Sequence, residues 1–135
     1  MSINIIVASH GRFCEEIIQS AEMIVGKNDK LFAVPLLKEE DPLDYKDKLE
    51  SVIRGFNGGP FIVICDIIGG TPYNCSLQLL QKNQCAVITG LSLPMLLEAY
   101  YLESESVEEV GAILMDCARN TLQIYTKELM NNTLK

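Results

Sequence analysis

Phe61-Ile62-Val63-Ile64-Cys65-Asp66, followed at once by Ile67-Ile68-Gly69-Gly70-Thr71-Pro72, decides the fold of this chain. An unbroken apolar run of five residues is what a strand buried on both faces requires, and such strands belong to parallel sheets sandwiched between helices. The run stops at a carboxylate. Two glycines then turn the chain, and Thr71-Pro72 opens a helix that the spacing carries to about Lys82.

The same alternation extends outward in both directions. Before this strand, Asn57-Gly58-Gly59-Pro60 breaks a helix whose face is marked by Tyr45, Leu49, Val52, Ile53 and Phe56, and whose start is Asp41-Pro42. A strand over Leu31 to Leu37 precedes it. Earlier still, Phe13, Ile17, Ala21, Ile24 and Val25 recur at helical spacing until Gly26-Lys27-Asn28-Asp29 ends them, and Ile3 to Ser9 is a first strand closed by His10 and Gly11. Toward the C-terminus come a strand from Cys85 to Thr89, a loop from Gly90 to Leu93, and a helix from Pro94 to about Leu102. The capping-box pattern Ser106-Val107-Glu108-Glu109 then begins a helix reaching about Asn120. Thr121 to Lys127 alternates apolar and polar residues, as suits a C-terminal edge strand, antiparallel or paired with another subunit. The expected architecture is one domain over residues 1–135, a doubly wound α/β fold of the flavodoxin-like kind. Its sheet is mainly parallel and open, in strand order 2-1-3-4, with helices on both faces.

Bulk properties narrow the function. A formal charge of −7 repels nucleic acid and anionic membrane, so neither is an expected partner. The first residues carry no basic segment, and no stretch approaches the roughly 18 apolar residues of a membrane span, so a cytoplasmic location is expected. Cys14, Cys65, Cys75, Cys85 and Cys117 are scattered and odd in number. They suggest neither a disulfide framework nor a metal site, but small hydrophobes in a reducing compartment.

In open parallel sheets, ligands gather where strands end and helices begin. With strands one and three as neighbours, His10 and Asp66 face each other across that edge. A carboxylate that accepts the Nδ1–H bond fixes the imidazole tautomer, leaves Nε2 free to attack, and stabilises positive charge on the ring. Each residue also has a plainer reading, His10 as a loop anchor and Asp66 as a turn or cap residue. Gly69 and Gly70 let backbone amides approach an anion closely, and the Thr71 hydroxyl donates to the same oxygens. A glycine turn with a threonine N-cap and a first-turn proline explains the same residues structurally. Neither Gly-x-x-x-x-Gly-Lys-Ser/Thr nor Gly-x-Gly-x-x-Gly occurs, so no nucleotide cofactor is expected. Ser9 alternates with His10 on the strand, which argues against a Ser-His-Asp hydrolase. Cys14 is a secondary candidate near the pocket, and Arg12 is a candidate for attracting an anionic partner.

These motifs, Ser9-His10-Gly11, Ala21-Glu22-Met23, Asp66-Ile67-Ile68-Gly69-Gly70-Thr71-Pro72-Tyr73-Asn74 and Gly90-Leu91-Ser92-Leu93-Pro94-Met95-Leu96, resemble in order and spacing the EIIA component of the mannose-class sugar phosphotransferase system. The resemblance implies a phosphocarrier without metal or cofactor. His10 would accept a phosphoryl group from phospho-HPr and pass it to an EIIB component on a separate polypeptide, which serves a membrane EIIC/EIID transporter. It also implies that Asp66 assists His10, that Thr71 fills a position more often held by serine, and that the chain forms a homodimer by exchanging the strand at Thr121 to Lys127. The loop at Ser92 departs from the Gly-x-Asn-x-Pro-Met form associated with the family. Leu93, Pro94 and Met95 are candidates for an apolar docking rim, and core packing at a helix start explains them equally well. The transported sugar is not readable, since this subunit would meet only phosphoprotein partners. Other readings are a non-catalytic anion-binding or regulatory module, a dihydroxyacetone-kinase-type phosphocarrier, and a receiver phosphorylated on Asp66; the last lacks an acidic pair after strand one.

Overall fold

Strands β1 (Asn4–His10), β2 (Leu31–Leu36), β3 (Phe61–Cys65) and β4 (Cys85–Thr89) pair in parallel, in the order β2-β1-β3-β4. The computed structural model describes residues 3–104 and 106–133. Its register sets Ala8 of β1 opposite Cys65 of β3 on one side and Val34 of β2 on the other. The two inner strands therefore end together, and His10 and Asp66 leave the sheet at the same edge.

Burial on both faces explains the apolar runs. Ile5 and Val7 of β1, with Ile62 and Ile64 of β3, pack against helices α1 (Phe13–Val25), α4 (Leu93–Ala99) and α5 (Val107–Asn120). The alternate residues Ile6, Ala8, Phe61 and Val63 pack against α2 (Pro42–Arg54) and the segment that begins as α3 (Thr71–Leu77). Tyr45 of α2 is wholly buried there, and its hydroxyl donates to the Val34 carbonyl at 2.6 Å, so its one polar atom is satisfied. Asp41 and Asp44 form a reciprocal capping box at the start of α2, with Pro42 in the first turn, as the sequence there predicts.

Several boundaries differ from the sequence reading. On α1 the buried stripe is Cys14, Ile17 and Ala21, whereas Phe13 and Ile24 are 48% and 60% exposed. The helix expected to reach Lys82 tightens into a 3₁₀ turn over Gln78–Gln81, and α4 stops at Ala99 rather than Leu102. The expected edge strand does not join this chain's own sheet. Residues 122–126 carry no strand pairing, and Leu122, Ile124 and Tyr125 are largely exposed. Alternation records a segment with one apolar side, but it does not say what covers that side. A further helix, α6 (Lys127–Thr133), follows where the sequence reading placed none; the Thr126 hydroxyl accepts the Leu129 N–H at its start. No helix among the described residues is long and apolar enough to cross a membrane.

Candidate active site

At the shared edge of β1 and β3, one oxygen of Asp66 holds both the backbone and the ring of His10. The His10 N–H donates to Asp66 Oδ2 at 2.9 Å, and ring Nδ1 donates to the same Oδ2 at 2.9 Å. Asp66 is itself fixed at both ends, since its N–H donates to the Ala8 carbonyl at 3.1 Å and its Oδ1 accepts the Ile67 N–H at 3.0 Å. The Asp66 side chain is 13% exposed and that of His10 is 45% exposed. Burial pushes the Asp66 carboxyl upward, but the His10 N–H, the His10 ring and the Ile67 N–H together outweigh it and hold the carboxyl below its ordinary value. An ionised carboxylate accepts only, so Nδ1 carries the proton in this bond, and in the neutral ring the lone pair is then on Nε2.

The free side of the ring faces Gly70. A β-carbon at position 70 would lie 2.9 Å from both Cε1 and Nε2 of His10, and Gly70 has φ +85° and ψ 173°, a conformation essentially reserved for glycine. Both features demand glycine, and together they bring the backbone at the start of α3 against Nε2. Gly69 shares the positive φ, with nothing near its missing β-carbon. Thr71 is the first residue of α3; the N-cap is Gly70, so threonine does not cap this helix as the structural reading of Gly-Gly-Thr-Pro supposes. Thr71 is half-buried, and its hydroxyl makes no hydrogen bond among the described residues.

Ser9 points the other way, as strand alternation requires. It is fully buried, donates to the Gly11 carbonyl at 3.0 Å and accepts the Cys14 N–H at 2.8 Å. The N-cap of α1, Arg12, makes no side-chain cap, so Ser9 supplies the missing acceptor from the neighbouring strand. The turn carrying His10 is thereby tied to α1, and the Gly11 N–H ties it to the Leu36 carbonyl of β2 at 2.8 Å.

The remaining candidates divide. Arg12 is exposed and paired with Glu15 at 2.8 Å. The loop before α4 reaches the same edge, where the Leu91 N–H donates to the Cys65 carbonyl, and Leu93 and Pro94 there are half-buried. Met95 is 2% exposed and sits in the core, so it is removed from the docking rim; Ser92 caps α4, which turns the next apolar side chains inward. Cys14 is buried with its thiol pushed up by that burial, and burial pushes the Cys65 thiol up to about 11, so neither offers a thiolate at neutral pH. Phe13, Ile67 and Ile68, close to the His10–Asp66 pair in sequence, are exposed apolar residues, at 48%, 56% and 74%.

The model of the EIIA-man family, described as PTS system fructose IIA component, matches residues 4–115. The chain belongs to this family. It is 28% identical over 130 residues to the PTS system fructose-specific EIIA component of Bacillus subtilis (strain 168), covering 94% of this chain and 89% of that protein. It is 31% identical over 115 residues to the PTS system sorbose-specific EIIA component of Lacticaseibacillus casei, covering 84% and 83%. Among solved structures, the mannose/sorbose specific IIA subunit of the phosphotransferase system from Enterococcus faecalis superposes with a TM-score of 0.88 at 30% identity, covering 93% of this EIIA-family chain and 96% of that one.

Proposed function

We infer that this EIIA-family chain is the phosphocarrier of a sugar phosphotransferase system, and that His10 is the residue that carries the phosphoryl group. The observation that carries the reading is the division of labour on one imidazole. Nδ1 is engaged by Asp66, and Nε2 has no hydrogen-bond partner among the described residues and faces the Gly70 turn. In the forward step the Nε2 lone pair attacks phosphorus, the N–P bond of the donor phosphohistidine breaks, and its electron pair stays on the donor ring. The new N–P bond leaves His10 protonated at Nδ1, where the Asp66 carboxylate offsets the positive charge. The second transfer repeats this, with His10 as the leaving group toward the next carrier.

Such transfer asks for in-line placement and for donors to the equatorial oxygens rather than for covalent work by other residues. The Gly69-Gly70 amides and the Thr71 hydroxyl are suited to that task by position. Phospho-HPr is the donor and an EIIB component the acceptor in this reading, with the membrane transporter served indirectly. The exposed rim of Phe13, Ile67 and Ile68, with Leu93 and Pro94 beside it and Arg12 at its margin, is where the two protein partners would dock in turn. The unpaired segment 122–126 supports a homodimer in which each copy covers the other's Leu122, Ile124 and Tyr125.

The deciding experiment is intact-protein mass spectrometry after incubation with phosphoenolpyruvate, enzyme I and HPr. One acid-labile phosphoryl group is expected on the native chain and none on His10→Ala. A folded native chain that stays unmodified with cognate HPr overturns the reading and leaves a non-catalytic anion-binding module.

A further inference from the structure

The sequence sets 11 lysines and arginines against 18 acidic residues. Three of those cations, Lys46, Arg54 and Lys82, nevertheless line one groove of about 280 Å³ between α2 and the α3–3₁₀ segment. This groove lies toward the opposite end of the sheet from His10. Helix α2 starts after the C-terminal end of β2 and returns antiparallel to the strands, so Arg54 reaches the edge where β3 begins, and Lys82 precedes the start of β4. None of the three cations is ion-paired among the described residues. Glu50, one turn from both Lys46 and Arg54 on α2, also lines the groove, so three cations stand against one carboxylate, and the net positive lining on an acidic protein is a local field favourable to an anion.

The rest of the lining specifies more than charge. Ile53 and Leu79 supply an apolar floor; Leu79 is 5% exposed and belongs to the core beneath. The 3₁₀ turn that interrupts the expected longer helix brings residues three apart into line, which sets Lys82 over Leu79. Asn83 donates its amide to the Leu79 carbonyl at 3.1 Å, so its carbonyl oxygen is left to accept; Gln78 and Glu50 add further polar groups to the wall. Cations for a phosphate, acceptors for hydroxyl groups and a small apolar floor for a C–H face form one set, in a volume just below the usual range of small-molecule pockets.

We propose that this α2–3₁₀ groove is a second binding site, independent of the phosphocarrier reading, for a small hydroxylated organic phosphate. An acidic protein segment would need an extended surface, whereas the cations here converge on a concavity of single-molecule size.

The test is a titration of the full chain, labelled with ¹⁵N, with glucose 6-phosphate as the probe. Inorganic phosphate, glucose and a short polyglutamate peptide serve as separate arms. Glucose 6-phosphate is expected to saturate at millimolar concentration or below, moving amides of α2 and residues 78–83 and leaving Ser9 to Gly11 and Asp66 in place. Arg54→Gln with Lys82→Gln is expected to weaken it at least tenfold, and Lys46→Gln alone severalfold, with the spectra reporting that each variant stays folded. Absence of saturation, equal binding of inorganic phosphate or of glucose, tighter binding of the peptide, or shifts centred on His10 would each overturn the proposal.

Discussion

Replacing Gly70 by alanine tests the placement of Nε2 more sharply than removing His10 does. The new β-carbon would sit 2.9 Å from His10 Cε1 and Nε2, closer than such contacts occur, and the backbone at φ +85° and ψ 173° costs about 1–3 kcal/mol for a non-glycine residue. Two relaxations are open. Either the α3 turn withdraws, or the ring, whose side chain is 45% exposed, swings outward and gives up the Nδ1 bond to Asp66. The second route loses a charge-assisted hydrogen bond worth about 1.5–3 kcal/mol. Either route moves the attacking nitrogen from its aligned position, and a displacement of about 1 Å can cost on the order of 100-fold in rate. Gly69→Ala is the matched control, because Gly69 has the same positive φ but nothing within 4 Å of its missing β-carbon. Both variants are expected to lose about 1–3 kcal/mol to backbone strain in urea titrations, and Gly70→Ala is expected to lose more where the ring gives up its bond to Asp66. Only Gly70→Ala is expected to lose about 100-fold in single-turnover phosphoryl transfer from phospho-HPr. Equal rates in the two variants would refute the assignment of Nε2 as the nucleophile facing Gly70.

Asp66→Ala is expected to slow the same transfer by about 10- to 150-fold, the rate equivalent of losing that bond from the transition state, with the overall fold retained by circular dichroism. Because the folded carboxyl lies below its unfolded value, its contribution to stability is full above about pH 4 and is lost as pH falls through the folded value. The stability gap between native protein and Asp66→Asn should therefore be widest near neutrality and close in acid; a gap that widens in acid would reverse the sign. Ser9→Ala strands the Gly11 carbonyl and the Cys14 N–H and should cost about 1–3 kcal/mol in chemical denaturation. An unchanged midpoint would mean that water replaces the hydroxyl. Ile124→Asp is expected to convert a dimer to a monomer in sedimentation velocity without loss of the core; a native chain already monomeric at high concentration would remove the homodimer.

The fold was legible because burial on two faces leaves a simple trace. Phe61 to Cys65 and Ile5 to Ser9 admit no polar residue except Ser9, and that one is buried with its hydroxyl bonded to the turn that follows and to the start of α1. The helix stripe on α1 was less legible, since Phe13 and Ile24 share the spacing of Ile17 and Ala21 yet lie outside, and periodicity carries a phase uncertain by about one residue. Met95 was ambiguous for a related reason. Its place at the start of the expected Pro94 helix suited a docking rim and core packing equally, and the structure, with Ser92 capping α4, seats it in the core. The stretch after Thr121 shows where a one-sided pattern stops being informative, because the alternation of Leu122 and Ile124 is compatible with any covering surface and their own sheet does not provide one.

The site was legible at the level of neighbours and not of atoms. Strand parity already places His10 with Ile6 and Ala8, on the face that α2 and α3 cover, and places Ser9 with Ile5 and Val7 toward α1. Because β3 crosses over to α3 on the same face as the His10 side chain, the turn after Asp66 must pass the imidazole. The ring is thus bounded by the end of β3 through Asp66 and by the start of α3 through Gly70. No pattern in the sequence says that one oxygen, Oδ2, would take both the backbone N–H and the ring N–H of His10. That sharing has a consequence for the chemistry. The oxygen that holds the ring also ties the end of β1 to the end of β3, so the imidazole and the strand that presents it share one anchor. If His10 carries the phosphoryl group between two proteins as proposed, that coupling would return Nε2 to the same position after each transfer.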